Sequence, residues 1–138
     1  MQSKLNPYLS FKDNSREAME FYRSVFGGKL EVSTFKDYHA SQDPSEDHLI
    51  MHSVLEADNG ITFMASDTPN RMEYHAGTNM SLSLSGDNEA ELKGYFEKLS
   101  VGGNVSMPLE KAPWGDMFGM LTDKFGVPWL VNITGQKA

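Results

Sequence analysis

Trp114 to Trp129, WGDMFGMLTDKFGVPW, is the stretch whose reading decides the fold. Strand-like residues flank Asp123-Lys124-Phe125-Gly126, which has the chemistry of a tight turn. The Asp123 carboxylate can accept from backbone amides two residues on, and Gly126 takes positive φ without steric cost. Pro128 suits the first residue of a strand, where a missing donor does least harm. The stretch therefore predicts a hairpin, with strands near Gly115 to Thr122 and Trp129 to Thr134. Both tryptophans of the chain fall in it. Large amphipathic rings mark either a core or a ligand surface. Trp129 alternates with Val131 and Ile133 and reads as core, whereas Trp114 is placed to stack a planar ligand.

Working outward from the hairpin, the chain repeats itself. Asn79 to Val105, NMSLSLSGDNEAELKGYFEKLSVGGNV, matches Asn6 to Leu30, NPYLSFKDNSREAMEFYRSVFGGKL. Asp13-Asn14 recurs 74 residues on as Asp87-Asn88, and Gly27-Gly28 recurs 75 on as Gly102-Gly103. A shared offset across a whole supersecondary unit marks a duplicated module. In each copy an alternating strand leads into an amphipathic helix. Ala18, Phe21, Tyr22, Val25 and Phe26 form one apolar stripe, and Leu92, Tyr95, Phe96 and Leu99 form the other. Asn14 with Glu17, and Asn88 with Glu91, are placed as N-terminal caps, and each helix stops at its glycine pair.

Alternation predicts further strands near Leu5 to Phe11, Lys29 to Lys36, Leu49 to Glu56, Ile61 to Ser66, Thr78 to Leu84 and Asn104 to Met107. One 138-residue domain then holds two βαβββ modules, about 5–66 and 78–134, with a polar linker at 67–77. Loop 37–47, with four acidic residues and a proline, reads as mobile. Leu9 and Phe11, and Met80, Leu82 and Leu84, should lie under the helices. The opposite faces, with Asn6, Tyr8 and Ser10 and with Asn79, Ser81 and Ser83, are polar. Such a face is either solvated or curled around something.

Composition narrows the partners. A net charge of −7 disfavours nucleic acid bound through phosphates, and no basic patch occurs. The absence of cysteine excludes disulfides, thiolate zinc sites and a cysteine nucleophile. No apolar run approaches the span of a bilayer, and MQSKLNPYLSF lacks a signal-like apolar core, so the expectation is a cytoplasmic protein without membrane contact.

The βαβββ duplication, Phe21-Tyr22-x-x-Val25-Phe26-Gly27-Gly28 and above all WGDMFGMLTDKFGVPW resemble the vicinal oxygen chelate superfamily. Within this glyoxalase, bleomycin resistance and dihydroxybiphenyl dioxygenase group they resemble the PhnB-like branch. The resemblance implies an α+β fold, two modules curled into an incomplete barrel around a cavity, and a homodimer. It also implies a divalent metal on four strand positions, which fall here on Asn6, Met64, Asn79 and Leu130. A thioether and an aliphatic side chain at two of the four do not hold a hard divalent cation. No cofactor is therefore expected.

The candidates each carry a plain alternative. Asn6 and Asn79 could hydrogen-bond a ligand or simply face water. Tyr8, Met64, Ser81 and Leu130 would line the same surface, since small-molecule sites are mostly apolar with a few polar groups. Asp116 could be a base or hydrogen-bond anchor for a ligand, or a turn carboxylate. His48 and His52, four apart with Glu56 following, could share a face as a metal pair or be surface residues. Some branch members are labelled demethylubiquinone methyltransferases, but no glycine-rich strand-to-helix turn of a parallel sheet occurs here. Binding of a small organic molecule without metal is the expected function. The alternatives are a metal-dependent isomerase, lyase or dioxygenase, and a non-catalytic interaction protein.

Overall fold

Each helix is laid across one face of a four-stranded sheet. The computed structural model describes residues 3–135, in two compact units that divide between Ala76 and Gly77. In the first unit β1 (Tyr8–Phe11), α1 (Ser15–Phe26), β2 (Lys29–Thr34), β3 (Ile50–Glu56) and β4 (Thr62–Asp67) follow in order, with a short 3-10 helix at Pro44–Glu46. The second holds β5 (Leu82–Gly86), α2 (Glu89–Ser100), β6 (Asn104–Lys111), β7 (Met117–Thr122) and β8 (Pro128–Ile133). The sheet orders are β1-β4-β3-β2 and β5-β8-β7-β6, with β1-β4 and β5-β8 parallel and the remaining pairs antiparallel. Both units are thus the expected βαβββ module of an α+β fold, and neither sheet closes into a barrel.

The cores follow from the stripes. Ala18, Met19, Tyr22, Val25 and Phe26 of α1 are buried, and Tyr22 and Phe26 meet Phe63 of β4 edge-on, at 5.4 and 6.0 Å between ring centroids. Burying each of these aromatic rings is worth about 1.5–3 kcal/mol. Leu92, Phe96 and Leu99 of α2 do the same in the second unit. There Gly119 of β7 lacks a side chain where a Cβ would lie 2.9 Å from both the Phe96 ring and the Leu109 backbone. In β4 and β8 the buried residues alternate in step, Phe63, Ala65 and Asp67 matching Trp129, Val131 and Ile133.

Two buried carboxylates, Asp67 and Asp123, tie the elements together. Asn14 makes no side-chain cap. Instead Asp67, 4% exposed, accepts from the Ser15 amide at 2.8 Å and the Ile50 amide at 2.9 Å. A residue assigned to the linker therefore ends β4, begins α1 and begins β3 together. In α2 the predicted cap does form, with Asn88 Oδ1 accepting from the Glu91 amide at 3.1 Å. Asp123, 3% exposed, accepts from the Phe125 and Val127 amides at 2.8 and 3.1 Å and from the Trp129 indole at 2.9 Å. The hairpin expected from the sequence is held by its own first residue.

Several boundaries differ from expectation. β5 begins at Leu82, so Met80 is not under α2 but 74% exposed. β6 runs on to Lys111 because its pairing with β7 continues past two irregularities. The 37–47 loop is tied down: buried Glu46 accepts from the Asn70 amide at 2.7 Å, and Ser41 bonds Asp47. At its start the Asp37 carboxylate accepts from the Thr34 amide while the Asp37 amide donates to Thr34 Oγ1, and the Thr34 amide and side chain hold the carboxyl below its usual range.

The glycine pairs are where helix meets strand. A Cβ at Gly28, with φ of 92°, would collide with the Glu56 carbonyl, and one at Gly103 with the Thr122 carbonyl. Replacing Gly103 by alanine, where φ is ordinary and only the collision matters, should cost about 1–3 kcal/mol in urea unfolding. Asp123→Ala leaves three donors without their acceptor and should cost about 2–4 kcal/mol, read as a lowered urea midpoint with the Trp129 emission as probe.

Candidate functional site

With one face of each sheet under its helix, the opposite face is where chemistry can be displayed. In the first unit the parallel register sets Tyr8 beside Met64, and the Met64 amide donates to the Pro7 carbonyl at 3.0 Å. Met64 pairs in turn with Val54 of β3. Alternation away from buried Phe63 and Ala65 puts Met64 and Val54 on the open face. Tyr8 remains 49% exposed. Its ring stacks on His52 at 5.8 Å, and its hydroxyl lies 3.3 Å from His52 Nδ1. Asn6 is half-buried and falls in the segment before β1.

The expected His48–His52 pair does not form on one face. His48 lies in the turn before β3, and the pairing passes from Ser33–His52 to Thr34–Ile50, leaving Met51 as an extra residue. That bulge reverses the alternation, so Ile50 and Ser53 are both buried. His48 instead borders a pocket of about 290 Å³ at the start of α1, with Asp13, Arg16, Glu17 and Glu20.

In the second unit Leu130 of β8 pairs with Ser83 of β5 and Met120 of β7. It has the same relation to the buried residues as Met64 in the first unit, because β4 and β8 share one burial pattern. Asn132 and Phe118 pair one step further along the same face. Trp114, 62% exposed, meets Phe118 edge-on at 5.7 Å. Asp116 accepts from Asn132 Nδ2 at 3.0 Å and from the Gly135 amide at 2.9 Å, which ties the start of β7 to the end of β8. Asn79 and Ser81 are exposed and precede β5, so neither stands in a strand as the sequence pattern predicts. Trp129 is core, 2% exposed.

Phe118, Met120 and Asn132 escaped the sequence reading. Their shared face depends on the β7–β8 register, and alternation within one strand shows a face without showing its neighbours. Met107, at the end of the strand expected from the sequence, pairs with Met120 and is 45% exposed.

The donor set does not suit the divalent metal of the superfamily. Met64 offers a thioether and Leu130 nothing, while Asn6 and Asn79 are neutral amides outside the strands. Among the described residues no three His, Asp or Glu side chains come together as a metal site. Hard cations want carboxylate and imidazole donors.

Comparison with known proteins places this architecture. A crystal structure of protein PA1353 from Pseudomonas aeruginosa is 37% identical, with a TM-score of 0.82, over 98% of this chain and 100% of that one. A PhnB protein from Bacillus cereus is 29% identical with a TM-score of 0.76, over 96% and 100%. The fosfomycin resistance protein FosX from Listeria monocytogenes, solved with Mn(II), shares the fold at 12% identity and a TM-score of 0.62, over 97% and 93%. The profile of the family described as 3-demethylubiquinone-9 3-methyltransferase matches residues 3–132. With its tandem βαβββ modules and these relatives, the chain belongs to that family, in the PhnB-like branch of the vicinal oxygen chelate superfamily.

Proposed function

We propose that this chain binds a small planar organic molecule, without a metal ion, on the open sheet face that carries Trp114. The exposed Trp114 ring set against Phe118 supports this reading most directly. An indole left largely in water is a ready stacking partner, and Phe118 holds it in orientation. Met120 and Leu130, half-buried on the same face, add an apolar floor, and methionine adapts to the shape it meets. Ser83 and Asn132 add polar groups beside them. A mostly apolar surface with a few fixed polar groups is the usual make-up of a small-molecule site.

Methyl transfer, named in the family's description, is not favoured by the local chemistry. Lys12-Asp13-Asn14 leads from β1 into α1, and Asp87-Asn88 from β5 into α2. These are polar turns, whereas a nucleoside-type cofactor at a strand-to-helix turn is usually cradled by glycines. The glycine pairs stand at the other ends of the helices.

Titration with planar aromatic acids, amides and phenols should quench tryptophan emission, and Trp114→Phe should remove the response while buried Trp129 keeps its signal. No quenching across the panel would refute the proposal. Mn²⁺, Ni²⁺ and Zn²⁺ should leave the melting temperature within about 1 °C of the metal-free value. One bound metal per chain with a clear rise would overturn the metal-free part, since binding at 100 times Kd adds about 2.7 kcal/mol.

A further inference from the structure

Tyr8 and His52 come from strands that are not neighbours in their sheet, β1 and β3, with β4 between them. Their rings nonetheless stack at 5.8 Å with an interplanar angle of 29°, and the Tyr8 hydroxyl reaches His52 Nδ1 at 3.3 Å. This aromatic bridge over β4 sits on the open face, and Tyr8 is half-exposed, so its hydroxyl oxygen can meet solvent or a ligand.

We propose that the Tyr8–His52 pair is a recognition site for the oxyanion of a small planar organic acid, with Tyr8 as the hydrogen-bond donor and His52 as its positioning residue. The inference rests on the reading that the chain takes a small organic ligand. A phenol has one donor hydrogen, and a neutral imidazole has one donor and one acceptor nitrogen. In one arrangement Tyr8 donates to Nδ1 and its hydrogen is consumed within the pair. In the other Nδ1–H donates to the Tyr8 oxygen, and the phenol hydrogen is directed outward. Protonation of His52 permits only the second, because both ring nitrogens then carry hydrogen. An incoming carboxylate selects this arrangement, receives the phenol hydrogen and lies near the imidazolium charge. Charge-assisted hydrogen bonds of this kind are about twice as strong as neutral ones.

The surroundings do not compete for the pair. Across β2 the register partner of His52 is Ser33, and on β4 the open face shows Met64 and Ser66. The charged groups on this face are Lys29 and Glu31 of β2, paired with each other at 3.1 Å, and Glu56 at the far end of β3. Glu56 is four residues from His52, roughly 13 Å at strand rise.

Calorimetric titration with 2-naphthoate and with uncharged 2-naphthamide tests the pair. The wild-type protein should bind the acid about tenfold more tightly near pH 5.5 than near pH 8, and the amide equally at both. Tyr8→Phe should weaken the preference for the acid at both pH values by removing the phenol donor. His52→Asn, whose amide NH₂ can take the place of Nδ1–H without titrating, should keep the preference but make it independent of pH. Tyr8 and His52 are both partly exposed, and unchanged circular dichroism and melting would establish that the variants fold. Equal binding of acid and amide, an undiminished preference in Tyr8→Phe, or a pH-dependent preference that survives in His52→Asn overturns the inference. Failure of the acid to bind while other planar ligands quench Trp114 also overturns it and leaves the proposed function standing. Failure of every ligand defeats both.

Discussion

The three hydrogen bonds accepted by the buried Asp123 carboxylate are the constraint on which the second unit depends. They close the turn, fix the entry of β8 and pull the Trp129 ring into the core by its indole nitrogen. With that entry set, the β7–β8 register follows, pairing Met120 with Leu130 and Phe118 with Asn132. A slip of one residue would send Trp129 to the open face and Leu130 to the core. The geometry of the candidate site is therefore a consequence of a turn that lies outside it.

Asp67 plays the comparable part in the first unit by different chemistry. It binds the first amide of α1 and the first amide of β3, joining elements distant in the chain. At the matching place in β8 stands Ile133, and α2 relies on its own Asn88 instead. The two modules thus share topology and burial while their helix starts are secured in unrelated ways. What they hold in common is backbone proximity: Gly28 lies against the Glu56 carbonyl and Gly103 against that of Thr122, spacings that admit no side chain.

Besides Lys29, Glu31 and Glu56 of the first unit, the open faces carry soft, aromatic and neutral polar groups. Met64 and Leu130 occupy equivalent positions in the two sheets, as the duplicated pattern requires, and neither can ligate a hard cation. The same faces present Tyr8 with His52 and Trp114 with Phe118, each ring pair oriented by contact within its own unit. Stacking and directed hydrogen bonding are the interactions such groups perform.

By itself the sequence determined the duplicated βαβββ order, the two helices and the hairpin at Asp123–Gly126. These depend on local periodicity and turn chemistry, both of which are written along the chain. Only the tertiary structure decided that Asp67, and not Asn14, secures α1, because that bond joins residues 52 apart. It alone separated His48 from His52, since a single extra residue at Met51 reverses a strand's faces without any mark in composition. It moved Asn79 and Ser81 out of β5, where pairing with β8 begins only at Leu82. It likewise brought Tyr8 to His52 across an intervening strand, a meeting set by register and side-chain reach that no spacing in the sequence encodes.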